Sequence, residues 1–346
     1  MSNDLGMGEL LDAREKSEDN AATFEPKNFA EYLGQKNVKE KLELYVKAAS
    51  MRNAPLDHLL LFGPPGLGKT TLARVITKEL GATLKITSAP ALERGGDLVA
   101  ILSNLSERDV LFIDEIHRLP KIVEEILYSA MENFCVDMIV GQGAGAKSIR
   151  LPLEPFTLIG ATTRTALLSG PLQTRFGIVE RLDFYEADEL ADIAIQNAKF
   201  ADVALEKDAA LVIGSRARGT PRIAKRIVRR VQDFALVKGH ANVSVPVVEE
   251  ALQFLGIDED GMNKLDRAIL LHILRDFDGG PVGLETIAAV TGEDKDTIED
   301  FCEPFLIRGG FLQKTVRGRK IPASKVLYLR RKLLGGDWAT QASLFE

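Results

Sequence analysis

Cysteine is nearly absent from this chain of 346 residues: Cys135 and Cys302 are the only two. They can build neither a disulfide framework nor a cysteine-rich metal site, so a reducing compartment is expected. Long apolar runs are missing as well, and none approaches the roughly 18 residues that span a bilayer. The opening stretch MSNDLGMGELLDAREKSEDN lacks the basic-then-apolar layout of a secretory signal and reads as a mobile polar tail over residues 1–22. Together these absences lead us to expect a cytoplasmic protein. Positive charge is not in excess either. The 44 Lys and Arg stand against 50 Asp and Glu, a net charge of −6, which by itself argues against a nucleic-acid partner.

The distribution of charge argues the other way. From Glu285 to Glu303 the chain is acidic, with Lys295 its only cation. From Arg308 to Lys332 there is no acid at all, and Lys314, Arg317 and Arg319 are among the bases. A local basic patch can bind phosphates whatever the global sign. The length calls for two or three domains rather than one core.

What is present in strength is a phosphate cradle. GPPGLGKTT, Gly63 to Thr71, matches G-x-x-x-x-G-K-[ST] and follows the apolar run Leu59-Leu60-Leu61-Phe62. Helical spacing of Leu72, Val75, Ile76 and Leu80 comes next, so the context is strand, glycine-rich loop, helix. Gly66 and Gly68 let backbone N–H groups converge on phosphate oxygens, aided by the helix N-terminus. Lys69 would neutralise the β- and γ-phosphates of ATP, and Thr70 would ligate Mg²⁺, with Thr71 beside it.

A second run, Val110 to Ile113, ends in Asp114-Glu115 and reads as another buried strand of a parallel α/β sheet. Asp114 would hold the magnesium, directly or through water, and Glu115 would orient or deprotonate the attacking water. His117 is assigned no role. A third run, Phe156 to Ala161, ends in Thr162-Thr163-Arg164 and places a polar side chain between the other two strands' ends, where it can sense the γ-phosphate.

Residues 186–257 carry helical patterns only. Thr220-Pro221-Arg222 opens one helix, with Arg222 near its N-terminus. Beyond Gly261, three helices are expected, the third breaking near Pro304. A hairpin follows, with Val316-Arg317-Gly318-Arg319 at its tip. Three helices and a basic hairpin suggest a winged helix, docking either on DNA or on protein. Few aromatics lie here, so stacking on single-stranded bases is the weaker option. Another hairpin, Val136–Val140 with Ser148–Leu153, exposes Met138, Ile139 and Val140 unless a partner or the core covers them.

GPPGLGKTT, LFIDEIHRL, GATTRTALLSGPLQTRFG and RGTPRIAKR, in this order, resemble an AAA+ ATPase. With MENFCVDMIVGQG and GGPVGLETIAAVTGE, they resemble more narrowly the bacterial RuvB family of branch-migration motors, from about Phe24 to Lys332. The resemblance implies a large ATPase domain over 23–185, a small helical lid over 186–257 and a winged-helix domain with a polar tail over 258–346. It matches Thr163 to the first sensor, Arg175 to an arginine finger acting on a neighbour's ATP, and Arg222 to the second sensor. Glu132, Asn133, Phe134 and Tyr185 fall at the family's nucleotide-contact positions. Where the family has Leu-Arg-Pro flanking adenine, this chain has Phe24-Glu25-Pro26, an anion in place of a cation.

By the same resemblance the chain forms a ring, hexameric when active, on double-stranded DNA at Holliday junctions. RuvA would bind the apolar hairpin, and RuvC is a further candidate partner. Lys295, Lys314, Arg317 and Arg319 would hold DNA phosphates. Two other classes share such an ATP site: a clamp-loader-like switch, weakened by the missing zinc module, and a protein unfoldase, weakened by the lack of an aromatic pore loop between Leu84 and Leu105.

Overall fold

Strands that are apolar on both faces can meet their backbone hydrogen bonds only inside a sheet. In the computed structural model, which describes Leu11 and residues 24–140 and 147–335, the three apolar runs become β1 (Leu59–Phe62), β3 (Val110–Asp114) and β6 (Thr157–Thr162). With β2 (Leu84–Ser88) and β7 (Ile178–Arg181) they form a parallel sheet of order β2-β3-β6-β1-β7. The third run therefore lies between the other two, as expected. All six residues of β6 are buried.

Around the sheet are α1 (Lys36–Arg52), α2 (Lys69–Glu79), α3 (Gly95–Leu102), α4 (Lys121–Asn133) and the short α5 (Gly170–Gln173). Leu98 and Leu102 of α3 and Val123 and Leu127 of α4 pack with Leu111, Ile113 and Leu158 of the sheet. His58 anchors the end of α4: its Nδ1 accepts from Leu158 N–H at 2.9 Å, which leaves Nε2 to donate to Met131 O at 3.1 Å. The chain then turns at Phe134, φ 47°, into β4 (Cys135–Val140), which pairs antiparallel with β5 (Lys147–Pro152). The expected hairpin is present, each strand starting one residue earlier than its sequence pattern. The tip from Gly141 to Gly145, the side chains of Met138, Ile139 and Val140, and both tails lie outside the described residues.

Contacts divide the described chain into two units. Residues 24–193 and 220–222 form one, and residues 194–219 and 223–335 the other. The remaining elements are α6 (Ala187–Phe200), α7 (Lys207–Arg216), α8 (Pro221–Lys238), α9 (Val245–Phe254), α10 (Lys264–Phe277), α11 (Leu284–Thr291), α12 (Lys295–Thr297), α13 (Glu303–Arg308), β8 (Gln313–Thr315), β9 (Gly318–Lys320) and α14 (Ala323–Leu334). A core of Ile269, Ile273, Ile287, Cys302, Leu306 and Leu329 joins the last helices. Both cysteines are free and buried.

One expectation needs correcting. Pro304 does not break its helix, because a π turn over Ile298–Cys302 widens the chain ahead of it and α13 continues to Arg308. Pro304 lacks an N–H and its ring crowds the preceding turn, so a widened turn relieves both conflicts.

In the second unit, the fully buried Asp266 caps α10 reciprocally with Asn263, each accepting the other's N–H at 2.9 Å. Arg218 pairs with Asp266, donates to Gly261 O at 2.9 and 3.1 Å, and stacks 4.1 Å from the Phe305 ring centroid. Breaking such a buried pair leaves a carboxylate uncompensated, at about 3–5 kcal/mol. Arg218→Ala is accordingly expected to speed hydrogen exchange in α10 by at least about a hundredfold. Native protection in the variant would show that the pair carries no such weight.

Candidate active site

The loop between β1 and α2 can be built only with glycine where the chain bends hardest. Gly63 has φ 144° and Gly68 φ 96°. A Cβ on Gly63 would sit 2.3 Å from Leu182 O, and one on Gly68 would sit 3.0 Å from the Tyr32 hydroxyl. Lys69 opens α2 almost fully buried, its Nζ donating to Gly63 O and Pro64 O at 2.9 Å. Burial pulls its ammonium down to about 8, Asp114 opposes the fall, Arg222 adds to it and Glu115 opposes it. Asp114, Glu115 and Arg222 are thus near enough to Lys69 to bias its charge. The Arg222 N–H also reaches Gly66 O at 3.4 Å.

Strand β3 delivers the carboxylates. Asp114 Oδ1 accepts the N–H of Glu115 at 2.9 Å, and Glu115 itself sits in the left-handed region at φ 48°. Its carboxylate pairs with Arg118 at 2.8 Å. Asp114 at the strand end and the Thr70 hydroxyl in the first turn of α2 are hard oxygen donors, both half-exposed, and suit a small divalent cation.

At the end of β6 the two threonines differ. Thr163 is exposed, whereas Thr162 is buried, its Oγ1 bonding His117 Nδ1 at 2.9 Å and accepting the Arg164 N–H at 3.0 Å. His117 is thus tied to the segment that presents Thr163, a link the sequence did not reveal. Burial holds its imidazole below the ordinary value, with Glu115 opposing. Behind this segment Gly160 has no spare room. A Cβ there would lie 2.9 Å from Ile116 Cδ1 and 3.0 Å from Phe176 Cζ, neighbours in sequence of Glu115 and Arg175.

Beside the loop, the buried Tyr185 donates to Leu67 O at 3.3 Å and meets the Tyr32 hydroxyl at 3.2 Å. Burial pushes the Tyr32 phenol up to about 12 and holds that of Tyr185 well above its ordinary value. Tyr32 gives no sign of this place in the sequence, 36 positions ahead of Gly68. Thr71 is half-exposed in α2; Phe24 is half-buried and Glu25 exposed.

The other nucleotide candidates lie at the end of α4 and after α5. Glu132 pairs with Arg175 at 3.0 Å, and Arg175 stacks 4.5 Å from the Tyr128 ring centroid. Asn133 is exposed, and the Phe134 ring meets Phe156 edge-on at 5.9 Å.

In the second unit, Lys295 pairs with Glu285 at 2.5 Å, and Lys314 with Glu299 at 2.5 Å. The hairpin tip is shorter than its pattern suggested. Arg319 lies in β9 and not at the tip, is 8% exposed, and donates to the buried Glu303 at 2.5 Å. Arg317 is exposed beside the fully exposed Val316.

Three family models cover these parts: the Holliday junction DNA helicase RuvB P-loop domain over 24–182, the RuvB AAA lid domain over 185–258 and the RuvB C-terminal winged helix domain over 259–330. A structure of the Thermotoga maritima RuvB Holliday junction branch migration motor is 47% identical, covers 88% of this chain and 98% of its own, and superposes with a TM-score of 0.78. A single-substitution variant of that RuvB is 46% identical over 89% and 99%, with a TM-score of 0.80. With its phosphate loop, paired carboxylates and winged helix in this order, the chain belongs to the RuvB family of ATP-hydrolysing Holliday junction motors.

Proposed function

We propose that the chain works as a ring, a hexamer in its active form, whose subunits hydrolyse Mg²⁺-ATP in turn and draw duplex DNA through a junction held by RuvA. The observation that carries the reading is the buried Lys69 held by the carbonyls of Gly63 and Pro64 at the head of the loop, with Asp114 at the end of β3 near enough to act on its charge. Lys69 neutralises the β- and γ-phosphates above the amides of Gly66 and Gly68. Thr70 and Asp114 hold Mg²⁺, which when bound draws charge from the phosphate oxygens. Glu115 orients or deprotonates the attacking water, Thr163 and Arg222 sense the γ-phosphate, and Thr71 supports the loop. Phe24, Glu25 and Tyr185 line the base side. Arg175, with Glu132, Asn133 and Phe134 near it in the chain, faces the ATP of a neighbouring subunit.

The β4–β5 hairpin, with Met138, Ile139 and Val140, docks RuvA. RuvC joins at the junction, and the assembly works in the cytoplasm. The three functional parts are taken as 23–185, 186–257 and 258 onward. ATP-dependent migration of a synthetic four-way junction, strongly stimulated by RuvA, is the expected result. Steady ATP hydrolysis without any strand movement under those conditions would favour a switch over a motor.

For DNA, phosphates are the expected contact, because a motor that passes over any sequence reads no base. Lys295, Lys314, Arg317 and Arg319 supply the charge, but with unequal freedom. Each neutralised phosphate contributes about −0.9 to the slope of log affinity against log salt. Arg317→Ala should flatten that slope by about this amount on two unrelated duplexes alike. Arg319→Ala has a different expected effect, since it removes the nearer cation of the buried Glu303, leaving Lys314 at 3.7 Å, and so loosens the wing itself. An unchanged slope for Arg317→Ala would place the DNA contact elsewhere.

A further inference from the structure

One face of α4 is occupied by a single neighbour. Glu124, Tyr128 and Glu132 are spaced i, i+4, i+8 and so line up along one side of the helix. All three engage the segment from Ser169 to Arg175. The Ser169 hydroxyl donates to Glu124, and its oxygen accepts the Tyr128 O–H at 2.9 Å and the Leu172 N–H at 3.3 Å. With one proton given and two lone pairs filled, that hydroxyl is fully used. Six residues after Ser169, the Arg175 guanidinium lies 4.5 Å from the Tyr128 ring centroid, Glu132 pairs with it at 3.0 Å, and Pro171 O accepts from it at 2.6 Å. Arg175 Nε is buried without a hydrogen-bond partner among the described residues. Its own subunit therefore holds the guanidinium in place without saturating it.

From this arrangement we infer that Tyr128 is a positioning residue for the arginine finger: its ring is the platform on which the Arg175 guanidinium is held, while Ser169 ties that platform to the short helix α5 preceding the finger. The inference rests on the reading of Arg175 as a finger and adds what orients it. An arginine on a surface turn samples many rotamers, and a finger contributes only when its fork meets the transferring phosphoryl group in register. Stacking on an aromatic face restricts the guanidinium while leaving its N–H edges free to donate. Aliphatic side chains at position 128 would fill space but offer no such face.

The test is steady-state hydrolysis by full-length rings. Tyr128→Leu is expected to lower kcat about tenfold with KM for ATP unchanged, and Tyr128→Phe, which keeps the ring, to stay within about twofold of the native chain. Because the finger serves a neighbour, mixing Tyr128→Leu with Lys69→Ala subunits should raise turnover above the sum of the two proteins assayed alone. A Tyr128→Leu chain that fell short through damage to its own ATP site would show a raised KM and no recovery on mixing, and either result overturns the inference. Native kcat for Tyr128→Leu beside an inactive Arg175→Ala would also overturn it, leaving the finger reading intact. Native kcat for Arg175→Ala would remove the finger reading itself. Should Tyr128→Leu fail to fold, Ser169→Ala is the milder probe: a severalfold loss in kcat at constant KM supports the platform, and native kcat sinks it.

Discussion

Arg175→Ala is expected to hydrolyse ATP about 10³–10⁵-fold more slowly than the native chain, the range contributed by arginine fingers, with nucleotide affinity little changed. Arg175 lies against Tyr128 and Glu132. Losing the guanidinium should therefore remove charge stabilisation from the transition state of an adjacent subunit without disturbing ground-state binding. Mixing Arg175→Ala with Lys69→Ala subunits should restore part of the activity, because some interfaces then pair an intact loop with an intact finger. Absence of recovery at every mixing ratio, in rings shown to be mixed, would count against action in trans.

Glu115→Gln should bind ATP and fail to turn it over, a loss of about 10²–10⁴ if the carboxylate acts as a general base. Gln has the same shape and can still accept from Arg118, which sits 2.8 Å from Glu115, but it cannot take up a proton. Lys69→Ala is expected to differ by losing nucleotide affinity as well, since in the proposed role its ammonium neutralises the phosphates. Equilibrium binding of a labelled ATP beside a turnover assay separates the two. Turnover at the native rate by Glu115→Gln would remove the assignment.

These predictions concern residues whose roles were legible in the sequence to very different degrees. Gly63 to Thr71 and Val110 to Glu115 could be read directly, because a phosphate loop and a strand-end carboxylate pair are local patterns set by backbone geometry and period. The starts of α2 and α8 fall within a residue or so of their sequence signals for the same reason. Thr162 and Thr163 are adjacent in the sequence, and only the family resemblance sets Thr163 apart there. Only strand register decided that Thr162 turns inward to His117 while Thr163 is exposed. The basic hairpin was visible as a run of charge, yet which of its cations face outward was not.

The sequence alone determined the chemistry: a nucleotide cradle, its carboxylates and the order of parts that marks a RuvB motor, all encoded in contiguous stretches. Tertiary structure decided which charges are available. Arg319 is turned in on Glu303, 16 positions away, Arg218 on Asp266, 48 away, and Arg175 rests on Tyr128, 47 away. Helical and strand periods specify which way a side chain faces along its own element, but a partner on another element is chosen by how the elements pack. Buried charge must find such a partner or be excluded from the interior, and that constraint acts only once the chain has folded.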